Sequence, residues 1–258
     1  MIGVFDSGVG GLYTLRALRR LLPCADLCYF ADEENLPYGP RTDAELLRLC
    51  ARAMRFLREA GAHALVAACG TVSSTVLPRL ARDCPLPLFG AVAPLVSGVC
   101  TLCHGIPHPR VLLLATEGSV RAGKIERGIC EGLPAATVTP LACPDFVSLA
   151  ECLAQLRADE VREGVRATLA PVLSEGFDAI ALGCTHFSAL SPHFPAVTGI
   201  RRIADGAVLC ARAAAESISR EKQGTTGKML LYTSGDGGTF ARAAARILGG
   251  EIPVFEVK

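Results

Sequence analysis

A chain of 258 residues, half hydrophobic and a fifth charged, can bury a large core as one big domain or two ordinary ones, which excludes a disordered protein. Its net charge is +1, and no basic stripe interleaved with aromatics occurs, so nucleic acid is excluded as a partner on electrostatic grounds. No apolar run reaches the ~20 residues needed to span a bilayer, so no membrane partner is expected either.

The first stretch, "MIGVFDSG", reads as strand and turn and not as an export signal, so a cytoplasmic protein with reduced thiols is expected. Most of the twelve cysteines, such as Cys28, Cys50 and Cys210, lie in apolar periodic surroundings and read as small buried hydrophobes. "IGVF" passes through "DSGVGG" into the helical "LYTLRALRRLL". "DLCYFAD" is a second strand. "TDAELLRLCARAMRFLREAG" is a helix with Thr42 as N-cap, Glu45 three residues on, and Gly61 as its stop. "HALVAAC" and "LPLFGAV" are strands flanking "SSTVLPRLARDC". The grammar resumes at "RVLLLAT", "ATVTPLAC" and "FDAIALGC", and again at "KMLLYTSGD" before the helical "GGTFARAAARILGG". The Pro/His-rich "CHGIPHPR" and the turn-rich "TGIRRIADG" are candidate boundaries, and "SREKQGTTGK" reads as a surface connection. Apolar strands alternating with helices predict an α/β protein with mainly parallel sheets, and the strand count predicts two lobes.

Two strand ends echo each other. "ALVAACGTVSS" and "AIALGCTHFSA" each place a cysteine after an apolar run, with hydroxyl residues close behind. Upstream, "IGVFDSGVGG" and "VLLLATEGSVRAG" repeat the echo in the same order. A duplicated lobe follows, with one thiol in each and a site in the cleft between them. Ligands of open α/β sheets sit beyond the carboxyl ends of the strands. A cysteine there, ahead of a helix, is expected to have its pKa lowered by the helix dipole. Cys69 and Cys184 could then face one small molecule from opposite sides, one thiolate removing a proton from carbon and the opposite thiol returning one.

Other readings fail on detail. In "DSGVGGLY" the third glycine of a dinucleotide-binding fingerprint is replaced by Tyr13. "CTLCH" has the c-type haem spacing, but attachment requires export, and as a zinc site it lacks a second pair. It reads instead as the continuation of a helix from "APLVSGV". A thiol hydrolase built on Cys184 and His186 would leave Cys69 without a role. No cofactor and no metal are expected.

The motifs "GVFDSGVGGL", "LPYGPRT", "AACGT", "ACPDFVSLAE" and "LGCTHF", in this order and spacing, resemble the glutamate racemases, cofactor-independent enzymes that supply D-glutamate for peptidoglycan. The resemblance spans essentially the whole chain. It implies that Cys69 and Cys184 are the acid/base pair, Cys69 acting on D-glutamate and Cys184 on L-glutamate. It implies supporting ionisable roles for Asp6, Glu151 and His186. It also implies substrate contacts by Asp6, Ser7, Tyr38, Gly39, Gly70, Thr71, Thr116, Ser119, Thr185 and His186. The first lobe would be discontinuous, residues 1–95 with 207–258, around a second lobe of 96–206, and the protein a homodimer. Three departures stand out. Gly70 follows Cys69 where the family has asparagine, Ser119 stands where threonine is usual, and Glu33 and Glu34 add charge near the mouth of the site. The missing asparagine amide predicts weak substrate binding that Gly70→Asn would restore. A racemase for aspartate or another small acid, and a silent homologue kept for binding, stay open as alternatives.

Overall fold

The computed structural model describes residues 1–218 and 226–257, so residues 219–225 of the polar "SREKQGTTGK" connection lie outside the described residues. The chain is α/β, in two halves, each built on a parallel sheet. The strands are β1 (Ile2–Asp6), β2 (Leu27–Ala31), β3 (Ala64–Ala67), β4 (Leu88–Gly90), β5 (Arg110–Ala115), β6 (Thr137–Ala142), β7 (Ala179–Leu182), β8 (Ile203–Asp205), β9 (Met229–Thr233) and β10 (Val254–Glu256). One sheet has the order β10-β9-β2-β1-β3-β4 and the other β6-β5-β7-β8, with every pairing parallel. The first sheet therefore draws strands from both ends of the chain.

The central strands are fully buried, which is why they read as continuous apolar runs without alternation. The helix Asp43–Glu59 starts where its caps dictate. The Glu45 N–H donates to Thr42 Oγ1 and the Thr42 N–H to Glu45 Oε2, and Gly61 leaves the helix in the left-handed region at φ +93°. Pro78 stands near the start of the helix Leu77–Asp83, separating it from the short helix Gly70–Thr75. Cys28, Cys50 and Cys210 are fully buried, as their apolar neighbours predict, and all twelve cysteines are free thiols. Cys100 ends up within the helix Val92–Leu102, and Cys103 follows its last turn.

Two sequence readings need correction. "TGIRRIADG" is not merely a turn-rich boundary, because Ile203–Asp205 pairs with β7 as the edge of the second sheet. Asp205 Oδ1 then caps the helix Gly206–Ser217 by accepting from the Ala207 and Val208 N–H groups. β10 went unread because a three-residue, half-exposed edge strand carries almost no periodic signal.

Parallel register fixes where the chemistry sits. Asp6 ends β1 level with Ala31 of β2, and Phe5 is level with Ala67 of β3. The residues leaving those strands, Asp6, Asp32 and Cys69, therefore share one edge. In the other sheet, Ala115 is level with Ala142, and Leu114 with Leu182. Thr116, Cys143 and Cys184 leave that sheet along its own carboxyl edge.

Candidate active site

The two carboxyl edges meet at a small cavity. Ser7, Tyr38, Gly39, Cys69, Gly70, Thr71, Thr116, Cys184, Thr185 and His186 line it, with Leu36, Pro37 and Val147. Its volume is about 40 Å³, enough for a few water molecules and far below the roughly 300–1,000 Å³ of a typical ligand site. Ten of the sequence-predicted residues thus gather on one wall-to-wall surface. Asp6, Ser119 and Glu151 do not line it and act from behind. Leu36, Pro37 and Val147 escaped sequence reasoning although all three lie inside quoted motifs, because apolar walls carry no chemical signal of their own.

Cys69 is 6% exposed and Cys184 7%. Cys69 occupies the N-cap position of the helix Gly70–Thr75, whereas Cys184 precedes only a 3-10 turn, Thr185–Ala189. The expected lowering of the Cys69 thiol pKa by a helix dipole is overturned. Burial, followed by the negative charge of Asp6, pushes it well above the usual thiol range, and the Val72 N–H offsets little of this. A six-residue helix offers a weak dipole, and desolvation outweighs it.

Behind Cys69, the Asp6 carboxylate accepts from the Gly8 N–H at 3.2 Å, Ser7 Oγ at 3.4 Å and Thr185 Oγ1 at 3.3 Å. The last of these ties the two halves together. Burial raises the Asp6 pKa, opposed by His186 and by those donors. Behind Cys184, His186 Nδ1 lies 4.0 Å from the sulfur, and Nε2 lies 3.3 Å from Glu151 Oε1, an ion-pair contact without hydrogen-bond alignment. Burial works against the charged imidazole, but contact with Cys184 and Glu151, together with the negative charge of Asp6, raises its pKa to about 10.

Hydroxyls bridge the cleft. Thr71 Oγ1 and Thr116 Oγ1 are 2.9 Å apart, and Thr116 Oγ1 also donates to Ser119 Oγ at 3.0 Å. Ser119 therefore supports Thr116 from outside the cavity. Tyr38 is buried with its hydroxyl donating to Asp32 Oδ2 at 2.7 Å, while Asp32 Oδ1 accepts from Asn35 Nδ2 and Arg52, both at 2.9 Å. Asp32 and Arg52 are supports that sequence reasoning missed. Asp32 was legible only as a strand-end acid. Glu33 turns away to accept from Thr233 Oγ1 at 2.6 Å, and Glu34 lies 3.9 Å from Arg52. Neither lines the cavity.

Gly70 explains itself by packing. A Cβ there would overlap the carbonyl oxygen of Gly183, so an asparagine cannot simply be added to this arrangement. The expectation that Gly70→Asn merely restores an amide to the substrate does not survive that contact.

A family model described as Asp/Glu/hydantoin racemase matches residues 14–214. A curated glutamate racemase of Gloeobacter violaceus is 33% identical over 246 residues, 95% of this chain and 91% of its own length. The crystal structure of the glutamate racemase isoform RacE1 from Bacillus anthracis superposes with a TM-score of 0.90 at 27% identity, covering 100% of this chain and 97% of that one. That of the glutamate racemase from Thermus thermophilus does so with a TM-score of 0.81 at 32% identity, covering 100% and 96%.

Proposed function

The chain belongs to the Asp/Glu/hydantoin racemase family, and from that premise we propose that it is a glutamate racemase, interconverting L- and D-glutamate and supplying D-glutamate for peptidoglycan. The observation that carries this reading is the pair of buried thiols, Cys69 and Cys184, leaving the two sheets into one cavity. Similarity to glutamate racemases over nearly the whole chain supports the substrate.

In the proposed reaction, one thiolate takes the α-proton. The electron pair left on carbon delocalises into the adjacent carboxylate. The opposite thiol then gives its proton to the other face, leaving a thiolate behind, so each turnover exchanges the protonation states of the two sulfurs. Cys69 acts on D-glutamate and Cys184 on L-glutamate. Acid and base both come from the protein, so the reaction as written uses no cofactor. The Cys69 thiol is held high by burial and by Asp6 in the closed cleft. A substrate ammonium in the cleft would offset the negative charge of Asp6 behind it and favour the thiolate when it is needed. His186, steadied by Glu151, is placed to exchange a proton with Cys184. Ser7, Thr71, Thr116 and Thr185 supply hydroxyls for the two carboxylates. Tyr38, whose hydroxyl is committed to Asp32, serves as a wall, and Gly39 and Gly70 offer backbone.

Family resemblance also supports a homodimer in the cytoplasm, and light scattering at micromolar concentration tests the first of these. The experiment for the reaction itself is incubation with L- or D-glutamate in deuterated water without added cofactor. Deuterium should appear at the α-carbon from either enantiomer, and its absence from both would end the racemase reading.

A further inference from the structure

The loops that carry the two thiols meet through bare backbone. A Cβ on Gly70 would overlap the Gly183 carbonyl oxygen, which belongs to the turn leading into Cys184. A second contact of this kind crosses the same cleft. A Cβ on Gly118 would lie 2.6 Å from the Gly39 carbonyl oxygen and 3.2 Å from Thr71 Cγ2. Real Cβ atoms essentially never come closer than 3.0 Å. Neither position can therefore carry a side chain unless the two halves of the cleft part, because backbone, unlike a long side chain, cannot swing aside. The result is a cavity of about 40 Å³, too small for glutamate.

We propose that Gly70 is a specificity-determining residue. By letting the thiol-bearing loops close further than any side chain would allow, it shifts preference toward acids one methylene shorter than glutamate. The inference rests on the racemase reading. Proton transfer needs the acid held still between the two thiol-bearing loops, so how far those loops can close decides which acid is held in place. With glycine, the loops can follow a bound acid inward until backbone meets backbone, which favours a four-carbon diacid. With a Cβ, the stop comes earlier, and the shorter acid is left loose while glutamate is not. One methylene in a fitted apolar pocket changes specificity by roughly 10- to 200-fold, and a partial change in fit gives part of that.

The test compares the unmodified protein with Gly70→Ala and Gly70→Asn, using D-glutamate and D-aspartate in the α-deuterium assay. Alanine isolates spacing from any amide contact. In Gly70→Ala, the aspartate-to-glutamate ratio of kcat/KM should fall about fivefold or more, chiefly through kcat for aspartate. Gly70→Asn should move it the same way. An unchanged ratio in Gly70→Ala, or a change in Gly70→Asn alone, overturns the proposal. Gly118→Ala wedges the same cleft at its other glycine contact and should lower the ratio too, which keeps the question open to decision if Gly70→Ala fails to fold. Crystal structures supply a readout independent of turnover. The separation of residues 70 and 183 should grow by about 1 Å in Gly70→Ala, enough to bring the new Cβ out to the 3.0 Å that real Cβ contacts keep, and an unchanged separation overturns the proposal. If the unmodified protein exchanges the α-proton of neither acid, the racemase reading fails on its own, and the crystallographic comparison still decides what Gly70 does.

Discussion

Cys69 and Cys184 sit in different electrostatic company. Cys69 shares its end of the cavity with the buried Asp6, and Cys184 shares its end with the His186–Glu151 pair. If each takes the α-proton of one enantiomer, Cys69→Ser and Cys184→Ser should each lower racemisation in both directions by about 10²–10⁴-fold. α-Proton exchange should be lost mainly from D-glutamate in the first and mainly from L-glutamate in the second. Near-normal turnover in either variant would rule out two bases. His186 gives a separate prediction for stability. Its pKa is about 10 in the fold against 6.5 for a free imidazole, so the folded state binds the proton more tightly. Its contribution is therefore complete below about pH 6.5 and is lost as the pH climbs toward about 10. Asp6, also raised, acts in the same sense, weakening the fold as pH rises from the acid range. Melting temperatures should fall across pH 6.5–10 less steeply in His186→Gln than in the parent. Parallel curves would show that the imidazole is not held protonated.

At the scale of elements, the Cys184 turn depends on an aromatic cluster that reaches it from a separate helix. Phe146, on the helix Asp145–Glu151, packs edge-on against Phe187 with ring centroids 5.3 Å apart, and against Phe194 at 5.8 Å. All three are fully buried. That helix also carries Val147, which lines the cavity, and Glu151, which touches His186. Phe146→Ala should cost about 3–5 kcal/mol of stability by transfer and cavity terms. It should also reduce activity in the surviving folded protein, because Phe187 follows His186 directly in the chain. Chemical denaturation measures the first effect. A loss below 1 kcal/mol would mean that the cluster collapses around the gap. The capping box at Thr42 and Glu45 is the opposite case, an element whose start was readable because both partners lie within four residues.

Over the whole molecule, the cleft is closed and nearly empty of space. Contacts across it include Thr71–Thr116, Thr185–Asp6 and the Lys124 ammonium donating to the Thr75 carbonyl at 3.0 Å. Glutamate must open this cleft and then hold it. At a hundred times Kd, a ligand that binds only the folded state stabilises it by about 2.7 kcal/mol. For a chain of this size that is a rise in Tm of about 5–10 °C. Thermal scans with D-glutamate check this, and no shift at saturating concentration would mean that the acid does not bind the native protein.

The sequence alone determined the alternation of strands and helices, the parallel sheets, and the two strand-end cysteines with their neighbouring hydroxyls. Each of these rests on residues close together in the chain, where periodicity and capping operate. Tertiary structure alone decided the rest. β8 and β10 are too short for periodicity and exist because a neighbouring strand pairs with them. The support of Tyr38 by Asp32 joins residues six apart, but the Arg52 that completes it lies a helix away. The Cys69 thiol was expected to be lowered by its helix and is raised instead, because its burial and the charge of Asp6 come from other segments. Gly70 looked like a missing amide. Its partner, Gly183, is 113 residues away, and only the meeting of two strand ends shows that the position has no room for a side chain while the cleft is closed.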